Sequence, residues 1–178
     1  MIGLIYITLE KVVTTEFGEE TWEKLLQHAQ LDGGYQSLTN YSDEDIVKLV
    51  TAASELLKLS QEEVLRWFGE QAIVDFHRRW PDMFARFDHV FDFILSLNAI
   101  IHPHVRQLYP DAAVPHFNLV ERGQHTLIIE YLSKRQMCHL AEGLTLGAGK
   151  LFNQPLSLSQ SQCRHRGDGK CLLKIVLD

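Results

Sequence analysis

The stretch Glu130-Tyr131-Leu132-Ser133-Lys134-Arg135 directly follows the apolar run Leu127-Ile128-Ile129. The apolar run predicts a β-strand, and side chains alternate across a strand, so Tyr131, Ser133 and Arg135 are expected on one face. That face offers a phenol, a hydroxyl and a guanidinium with almost no acidic neighbours. These groups suit carboxylate or phosphate oxygens, which a guanidinium can bind bidentately. The alternative is a polar ladder on a solvated sheet face.

Two pairs of strands are predicted around this stretch, in the last third of the chain. The first pair covers Pro115 to Val120 and His125 to Tyr131, and the second covers Leu156 to Arg164 and Lys170 to Leu177. A helix from about Lys134 to Phe152 separates the pairs. Before residue 110, apolar residues recur at helical spacing. We therefore predict an α+β fold, with a helical N-terminal part packed on a C-terminal four-stranded antiparallel sheet with a long helix.

The helical part divides into segments with recognisable ends. The longer helices are predicted from Leu4 to about Gly18, Glu20 to Gln30, Ser42 to Leu57, Ser60 to Arg79, and Val90 to Leu108. Ser60 with Glu63 forms a capping-box pattern, and Ser42 with Asp45 resembles one. We expect one domain over residues 1–178, with a helical subdomain over about 1–60 and a ligand-binding remainder over about 61–178.

Composition narrows the classes of function. The 178 residues are 46% hydrophobic and 22% charged, as in ordinary globular proteins. The net charge of -6 argues against broad nucleic-acid binding. The sequence has no apolar run long enough to span a membrane, and its first residues lack the pattern of a signal peptide. A cytoplasmic protein with neither a nucleic-acid nor a membrane partner is expected.

The long helix before the strands carries a histidine in apolar company. His102 stands in the run Ala99-Ile100-Ile101-His102-Pro103-His104-Val105, in which Pro103 removes one backbone hydrogen bond and should loosen the turn. One interpretation is a satisfied core histidine. The other is a neutral imidazole that faces a flat hydrophobic cavity and ligates haem iron. His104 lies about 200° around an ideal helix from His102, so the two are not expected to face one pocket.

Together these features resemble the H-NOX domain, the haem nitric oxide/oxygen-binding domain related to the haem domain of soluble guanylate cyclase. The resemblance rests on an opening Met-x-Gly-x-Ile at residues 1–5, the helical His102, the later Pro115, and Tyr-x-Ser-x-Arg at residues 131–135. It covers essentially the whole chain. It implies a five-coordinate ferrous haem b bound by His102, with the 131–135 motif holding both propionates.

The resemblance also assigns the walls of the haem pocket. Ile5, Pro115 and Leu144 match apolar residues that press on the porphyrin and distort it. Oxygen-binding members carry a hydrogen-bonding tyrosine at the position of Leu140. The expected distal wall consists of Leu9, Ala72, Phe76 and Leu140. None of these can donate a hydrogen bond to the partial charge on dioxygen, so binding of NO and CO without stable O2 binding is expected.

The output of such a domain is expected in a separate protein. The sequence contains no kinase, cyclase or other output segment, and the resemblance suggests a histidine kinase or a cyclic-di-GMP enzyme as the partner in trans. NO weakens the bond trans to itself, so release of His102 from iron is the expected signal. No catalytic residue is assigned and the protein is not expected to be an enzyme, because a haem enzyme needs a distal acid or base.

Three cysteines form a second candidate site. Cys163 and Cys171 flank the Gly167-Asp168-Gly169 turn, and Cys138 lies on the helix expected to pack on the sheet. Three thiolates suit a structural zinc site that needs a fourth ligand. Family members with zinc here carry a histidine where this chain has glutamine. The candidate fourth ligands are His165, His139 and Gln160. The alternatives are buried free thiols, and a thiol or zinc redox sensor in which haem is secondary.

Overall fold

The computed structural model describes all residues from 1 to 178. Its helical half contains helices α1 to α5, which are Gly3–Phe17, Glu19–Ala29, Asp43–Leu57, Gln61–Arg79 and Pro81–Phe84. Ser60 and Glu63 form the predicted capping box at the start of α4. At α3, Ser42 instead accepts a hydrogen bond from the backbone N–H of Glu44, without a reciprocal partner. No helix is both long enough and apolar enough to cross a membrane.

The predicted long helix from Val90 to Leu108 is interrupted. It consists of α6 (Val90–Ser96), a π-helical turn (Leu97–Ile101) and α7 (His102–Leu108). The N–H of His102 reaches back to the carbonyl of Leu97, five residues earlier. Pro103 explains the wider turn, because a proline has no N–H to donate and its ring collides with the carbonyl four residues before it.

The C-terminal sheet has the order β1-β2-β4-β3 and is antiparallel throughout. Its strands are His116–Arg122, Thr126–Leu132, Leu156–Gln162 and Cys171–Leu177. A short 3-10 helix, Arg164–Arg166, lies between β3 and β4. The α+β prediction is confirmed, with four antiparallel strands in two hairpins. The predicted third strand ends two residues early, because the chain turns into that short helix.

Helix α8 (Cys138–Leu151) lies across α4 at very short distance. A Cβ atom placed on Gly143 would lie 2.0 Å from the carbonyl oxygen of Arg66, and one on Gly69 would lie 2.5 Å from that of Leu140. Side chains at these two positions would push the helices apart. Helix α8 begins four residues later than predicted, because Gln136 has a left-handed backbone with φ of 52°.

Two hydrophobic cores hold the elements together. One is built by the sheet, α6 and α8, and it includes Phe91, Leu127 and Leu173. The other is built by α1 to α4 and includes Tyr6 and Trp22. Partly buried residues of α4 and α8 pack against both cores, so these two helices form the layer between the N-terminal helices and the sheet.

Candidate cofactor-binding site

A cavity of about 260 Å³ lies where the start of α1, α4, the α6–α7 segment, the sheet and α8 meet. Of the 32 residues that line it, 26 are hydrophobic. Its few polar residues include His102, Tyr131, Ser133 and Arg135. A largely apolar cavity with a small convergent polar set suits a ligand that has a large apolar body and a charged edge.

His102 is the first residue of α7, and its side chain lines this cavity. Its Nδ1 atom is buried and has no hydrogen-bond partner. Burial lowers the pKa of His102 to about 4, and the nearby Arg106 and His116 act in the same direction, whereas a hydrogen bond with the backbone of Pro115 acts against them. The imidazole is therefore neutral at pH 7, and neutral imidazole is the form that ligates a metal.

His104 also lines the cavity, which contradicts the expectation drawn from an ideal helix. His104 is exposed, whereas His102 is partly buried. An exposed residue that lines a cavity lies at its mouth. The opening of the cavity therefore runs along α7, and residues from more than one face of this helix line it. The polar atom left without a partner belongs to His102, not to His104.

Tyr131, Ser133 and Arg135 all line the cavity, but they do not share one strand face. Tyr131 lies within β2, whereas Ser133 and Arg135 lie in the turn that follows it. The Oγ atom of Ser133 accepts a hydrogen bond of 3.2 Å from the backbone N–H of Arg135, which tightens this turn. The phenol, hydroxyl and guanidinium therefore meet at the cavity because the chain turns.

Tyr131 is suited to donate a hydrogen bond from this position. Burial raises the pKa of Tyr131 to about 12, although hydrogen bonds with Ser133 and with the backbone of Met137 act in the opposite direction. The thiols of Cys138 and Cys171 lie close enough to raise it further. The phenol is therefore protonated at neutral pH, and a protonated phenol donates to a carboxylate.

Most of the expected apolar wall residues line the cavity. Those that do are Ile5, Phe76, Pro115, Leu140 and Leu144. Leu9 and Ala72 do not, because both are buried in the helical core with Phe68. Ile73 lines the cavity beside Phe76 instead of Ala72, a change of one position and about 100° on α4. Leu9 lies one turn beyond Ile5 on α1 and faces the neighbouring helices.

Two polar residues that hold the site in place carry no local signal in the sequence. Asp43 accepts a hydrogen bond of 2.7 Å from the Nε atom of Arg135, 92 positions away. Asn98, in the π-helical turn, accepts a hydrogen bond of 3.1 Å from the backbone N–H of Phe117 and donates to its carbonyl. Both contacts join residues that are distant in sequence, so neither follows from a motif or from periodicity.

The three cysteines come together beside the cavity as buried free thiols. The Sγ atoms of Cys138 and Cys163 are 3.8 Å apart, and Cys171 accepts a hydrogen bond of 3.4 Å from the backbone N–H of Arg164. Burial raises the pKa of Cys138 to about 12, and the neighbouring thiols add to this effect. Cys138, His139 and Cys163 offer ligand atoms that all lie within 4.8 Å of one another.

The candidate fourth ligands differ in how they are bonded. His165 is exposed, and its Nε2 atom bonds the carbonyl of Gln136 at 2.6 Å. The Nδ1 atom of His139 lies 3.1 Å from Glu142, whereas its Nε2 atom is buried without a hydrogen-bond partner. Both side-chain polar atoms of Gln160 are likewise buried without a partner. The Nε2 atom of His139 also lies 3.4 Å from a carboxylate oxygen of Glu62.

The sequence is similar to known proteins along most of its length. The haem-NO-binding family model matches residues 2–160. Soluble guanylate cyclase gcy-34 of Caenorhabditis elegans is 25% identical over 166 residues, and gcy-32 of the same organism is 24% identical over the same length. Each match covers 89% of this chain and 24% of the cyclase. The chain thus spans about a quarter of the length of these curated relatives.

Solved structures are similar to the whole fold. An H-NOX protein from S. oneidensis in the Fe(II)NO ligation state has a TM-score of 0.92 and 30% identity, over 100% of this chain and 99% of that one. An H-NOX from Shewanella woodyi in the Fe(II)CO ligation state has a TM-score of 0.83 and 27% identity, over 100% and 95%. The unliganded Fe(II) H-NOX protein from K. algicida shares the fold at 24% identity and a TM-score of 0.90, over 100% and 97%.

Proposed function

The chain belongs to the haem-NO-binding (H-NOX) family, and on this premise we propose that it binds haem b through His102 and senses nitric oxide. The observation that carries the proposal is His102 itself. It is a neutral imidazole with a buried, unpartnered nitrogen in an apolar cavity. A buried polar atom without a partner is costly, and a metal would satisfy it. The site therefore fits haem.

The polar end of the cavity fits the two propionates of haem. Arg135 would bind them through its guanidinium, and Tyr131 and Ser133 would each donate a hydroxyl hydrogen bond. The apolar residues that would contact the porphyrin are Ile5, Pro115 and Leu144. This division into a charged end and apolar walls matches the amphipathic shape of haem.

The gas selectivity is proposed from the side chains on the distal wall. When bound, haem would supply a ferrous iron that takes a diatomic gas, and the imidazole of His102 would hold that iron. Phe76 and Leu140 line the cavity and have no donor to offer a polarised ligand. They support binding of NO and CO and disfavour a stable complex with O2. Leu9, expected beside them, is not part of this wall.

The signal is proposed to leave through the segment from Leu97 to Leu108. It carries His102 directly after a π-helical turn, and release of the imidazole would free it to shift against β1. We propose that a separate histidine kinase or cyclic-di-GMP enzyme in the cytoplasm reads this shift, and that residues 1–178 act as one sensor domain without catalysis of their own. A haem enzyme is the rival, and Phe76 and Leu140 provide none of the acid or base that it needs.

The decisive test is the absorption spectrum of the reduced protein before and after NO. We expect a five-coordinate ferrous haem, a five-coordinate NO complex, and no persistent oxygen complex in air. His102→Gly should lose the protein-ligated spectrum and regain a five-coordinate one with added imidazole. His104→Ala is the matched control, because His104 lines the same cavity and should leave the spectrum unchanged.

Three outcomes would contradict the proposal in different parts. If the wild-type protein shows no absorption from bound haem after it has been supplied with haem, haem binding is refuted. A persistent oxygen spectrum would refute the selectivity. A six-coordinate NO spectrum at every temperature would refute the release of His102.

We also propose zinc at the cysteine cluster, supported by the short distances between the ligand atoms of Cys138, His139 and Cys163. Cys138, Cys163 and Cys171 would be three ligands. His139 is the preferred fourth, because its ligand atom lies within 4.8 Å of those of Cys138 and Cys163. Elemental analysis should find one zinc per chain in the wild type and much less in His139→Ala. His165→Ala is the control, since His165 is exposed and already bonded. Full zinc in both variants would exclude a histidine ligand, and no zinc in the wild type would favour free thiols.

A further inference from the structure

The guanidinium of Arg135 is held by the protein on two sides. Its Nε atom donates to the carboxylate of Asp43 at 2.7 Å, and its Nη1 atom donates to the carbonyl of Ala113. The Nη2 atom makes no hydrogen bond within the protein. Arg135 is only 19% exposed and lines the cavity. Two contacts therefore fix the plane of the guanidinium, and Nη2 stays available for an anion.

Asp43 belongs to the opposite half of the molecule. It is the first residue of α3, directly after the N-cap Ser42. Its Oδ1 atom also accepts a hydrogen bond of 2.7 Å from the α-amino group of Met1, and Met1 lines the cavity. The hydroxyl of Tyr6 donates to the carbonyl of Ser42 at 2.8 Å. One carboxylate thus connects Arg135 with the starts of both α1 and α3.

The charge of Asp43 is maintained by these contacts. Partial burial alone would raise the pKa of Asp43, but the hydrogen bonds from the α-amino group and from Arg135 hold it below the ordinary value. The carboxylate is therefore ionised at neutral pH and forms an ion pair with the guanidinium of Arg135. A charge-assisted hydrogen bond of this kind orients a guanidinium more strongly than a neutral bond does.

We propose that Asp43 is the positioning residue of Arg135 and that it couples cofactor binding to the N-terminal helices. The inference rests on the proposed function, since the anion at Arg135 is then a haem propionate. A propionate bound at Arg135 draws on the same guanidinium that Asp43 holds. Binding of haem in the cavity would therefore alter the contacts of Asp43 at the first turn of α3 and at the start of α1.

The test compares haem loss from variants of the complete chain. Haem transfer to apomyoglobin should be about three- to tenfold faster from Asp43→Ala than from the wild type, because the ion pair is partly exposed and its contribution is moderate. Asp43→Asn keeps the shape of the side chain and should lie between them, which keeps the test valid if the alanine variant folds poorly. Glu44→Gln is the matched control, because it removes one charge from the same helical turn and Glu44 makes no bond to Arg135.

A second pair of measurements separates positioning from general stability. In an Arg135→Ala background, Asp43→Ala should accelerate haem loss no further. Haem loading should protect the amides of residues 39–46 from hydrogen exchange in the wild type and in Glu44→Gln, but less so in Asp43→Ala. Additive effects of the two substitutions, or equal protection in all variants, would overturn the inference. Wild-type protein that takes up no haem would refute the proposed function first, so the two failures are distinguishable.

Discussion

The imidazole of His102 stacks on the ring of Phe117, with 6.0 Å between the ring centroids and 28° between the planes. Phe117 in turn lies 5.6 Å from the ring of Tyr131. One aromatic side chain on β1 therefore lies between the proposed iron ligand and the proposed propionate clamp. Its backbone is fixed by Asn98 in the π-helical turn, so the contact joins α7 to the edge of the sheet.

Replacing Phe117 by leucine should make the orientation of His102 less fixed, while the position keeps an apolar side chain. The interaction between the two rings contributes about 0.5–1.5 kcal/mol. Its loss should let the imidazole sample other orientations. We expect the iron–histidine stretching band of the reduced protein to broaden and shift to lower frequency in resonance Raman spectra. Leu119→Ala, on the same strand and 52% exposed, should leave the band in place. An unchanged band in Phe117→Leu would mean that the stack does not orient the ligand.

Much of the fold was predictable because strong local signals mark it. Ser60 with Glu63 marks the start of α4, and the turn around Gly167 separates β3 from β4. The apolar run before Glu130 places β2, so the order of elements follows from the sequence. These signals act over a few residues, and they correctly predict the four strands and most of the helices. The π-helical turn at Leu97–Ile101 and the short 3-10 helix at Arg164–Arg166 were not predicted.

The geometry of the site was less predictable because it depends on distant contacts. Pro103 indicates that the long helix is interrupted near residue 103. The type of interruption, a π-helical turn, could not be predicted, because Asn98 within this turn bonds the distant backbone of Phe117. The bond between Asp43 and Arg135 spans 92 positions. The mouth of the cavity along α7 depends on its neighbours, and so His104 was placed wrongly by an ideal helix. Each of these features is set by tertiary contacts that no periodicity records.

Leu140→Tyr should create affinity for oxygen. Leu140 lines the cavity, and a hydroxyl there would supply a donor that Phe76 and Leu140 do not have. A hydrogen bond to a charged partner contributes about 1.5–3 kcal/mol, so oxygen should dissociate at least about tenfold more slowly than from Leu140→Phe. The phenylalanine variant is the control because it adds the same ring without the hydroxyl. Equal dissociation rates in flash photolysis would refute the donor argument.

Asp75 should make stability depend on pH in the acid range. Its side chain is buried on α4 and accepts hydrogen bonds from Lys11 on α1 and from Arg79. Burial alone would raise the pKa of Asp75, but these two bonds hold it below the ordinary aspartate value. The unfolded chain therefore takes up the proton first, so the stabilisation is present above about pH 4 and is lost as the pH falls through the folded pKa.

Asp75→Asn tests this dependence. We expect the free energy of unfolding to fall by about 1–3 kcal/mol at pH 7 and the difference from the wild type to shrink in acid. Urea titrations at pH 7 and at a pH below about 4 measure the free energy of unfolding of both proteins. Asp82→Asn, at an exposed position on α5, should have little effect at either pH. A difference that stays constant with pH would mean that the charge of Asp75 does not contribute.

Gly143→Ala should separate α4 from α8 and disturb the cavity between them. The new methyl carbon would lie 2.0 Å from the carbonyl oxygen of Arg66, which is backbone and cannot rotate away. Overpacking of this kind costs about 1–3 kcal/mol or more, and here it acts on the helix that carries Leu140 and Leu144. We expect a lower midpoint of thermal unfolding and faster loss of haem, measured by calorimetry and by transfer to apomyoglobin. Gly123→Ala is the matched control, because its nearest neighbour atom would be 3.6 Å away, at ordinary contact distance. If both variants unfold at the wild-type temperature, the close approach of α4 and α8 is not required by the fold.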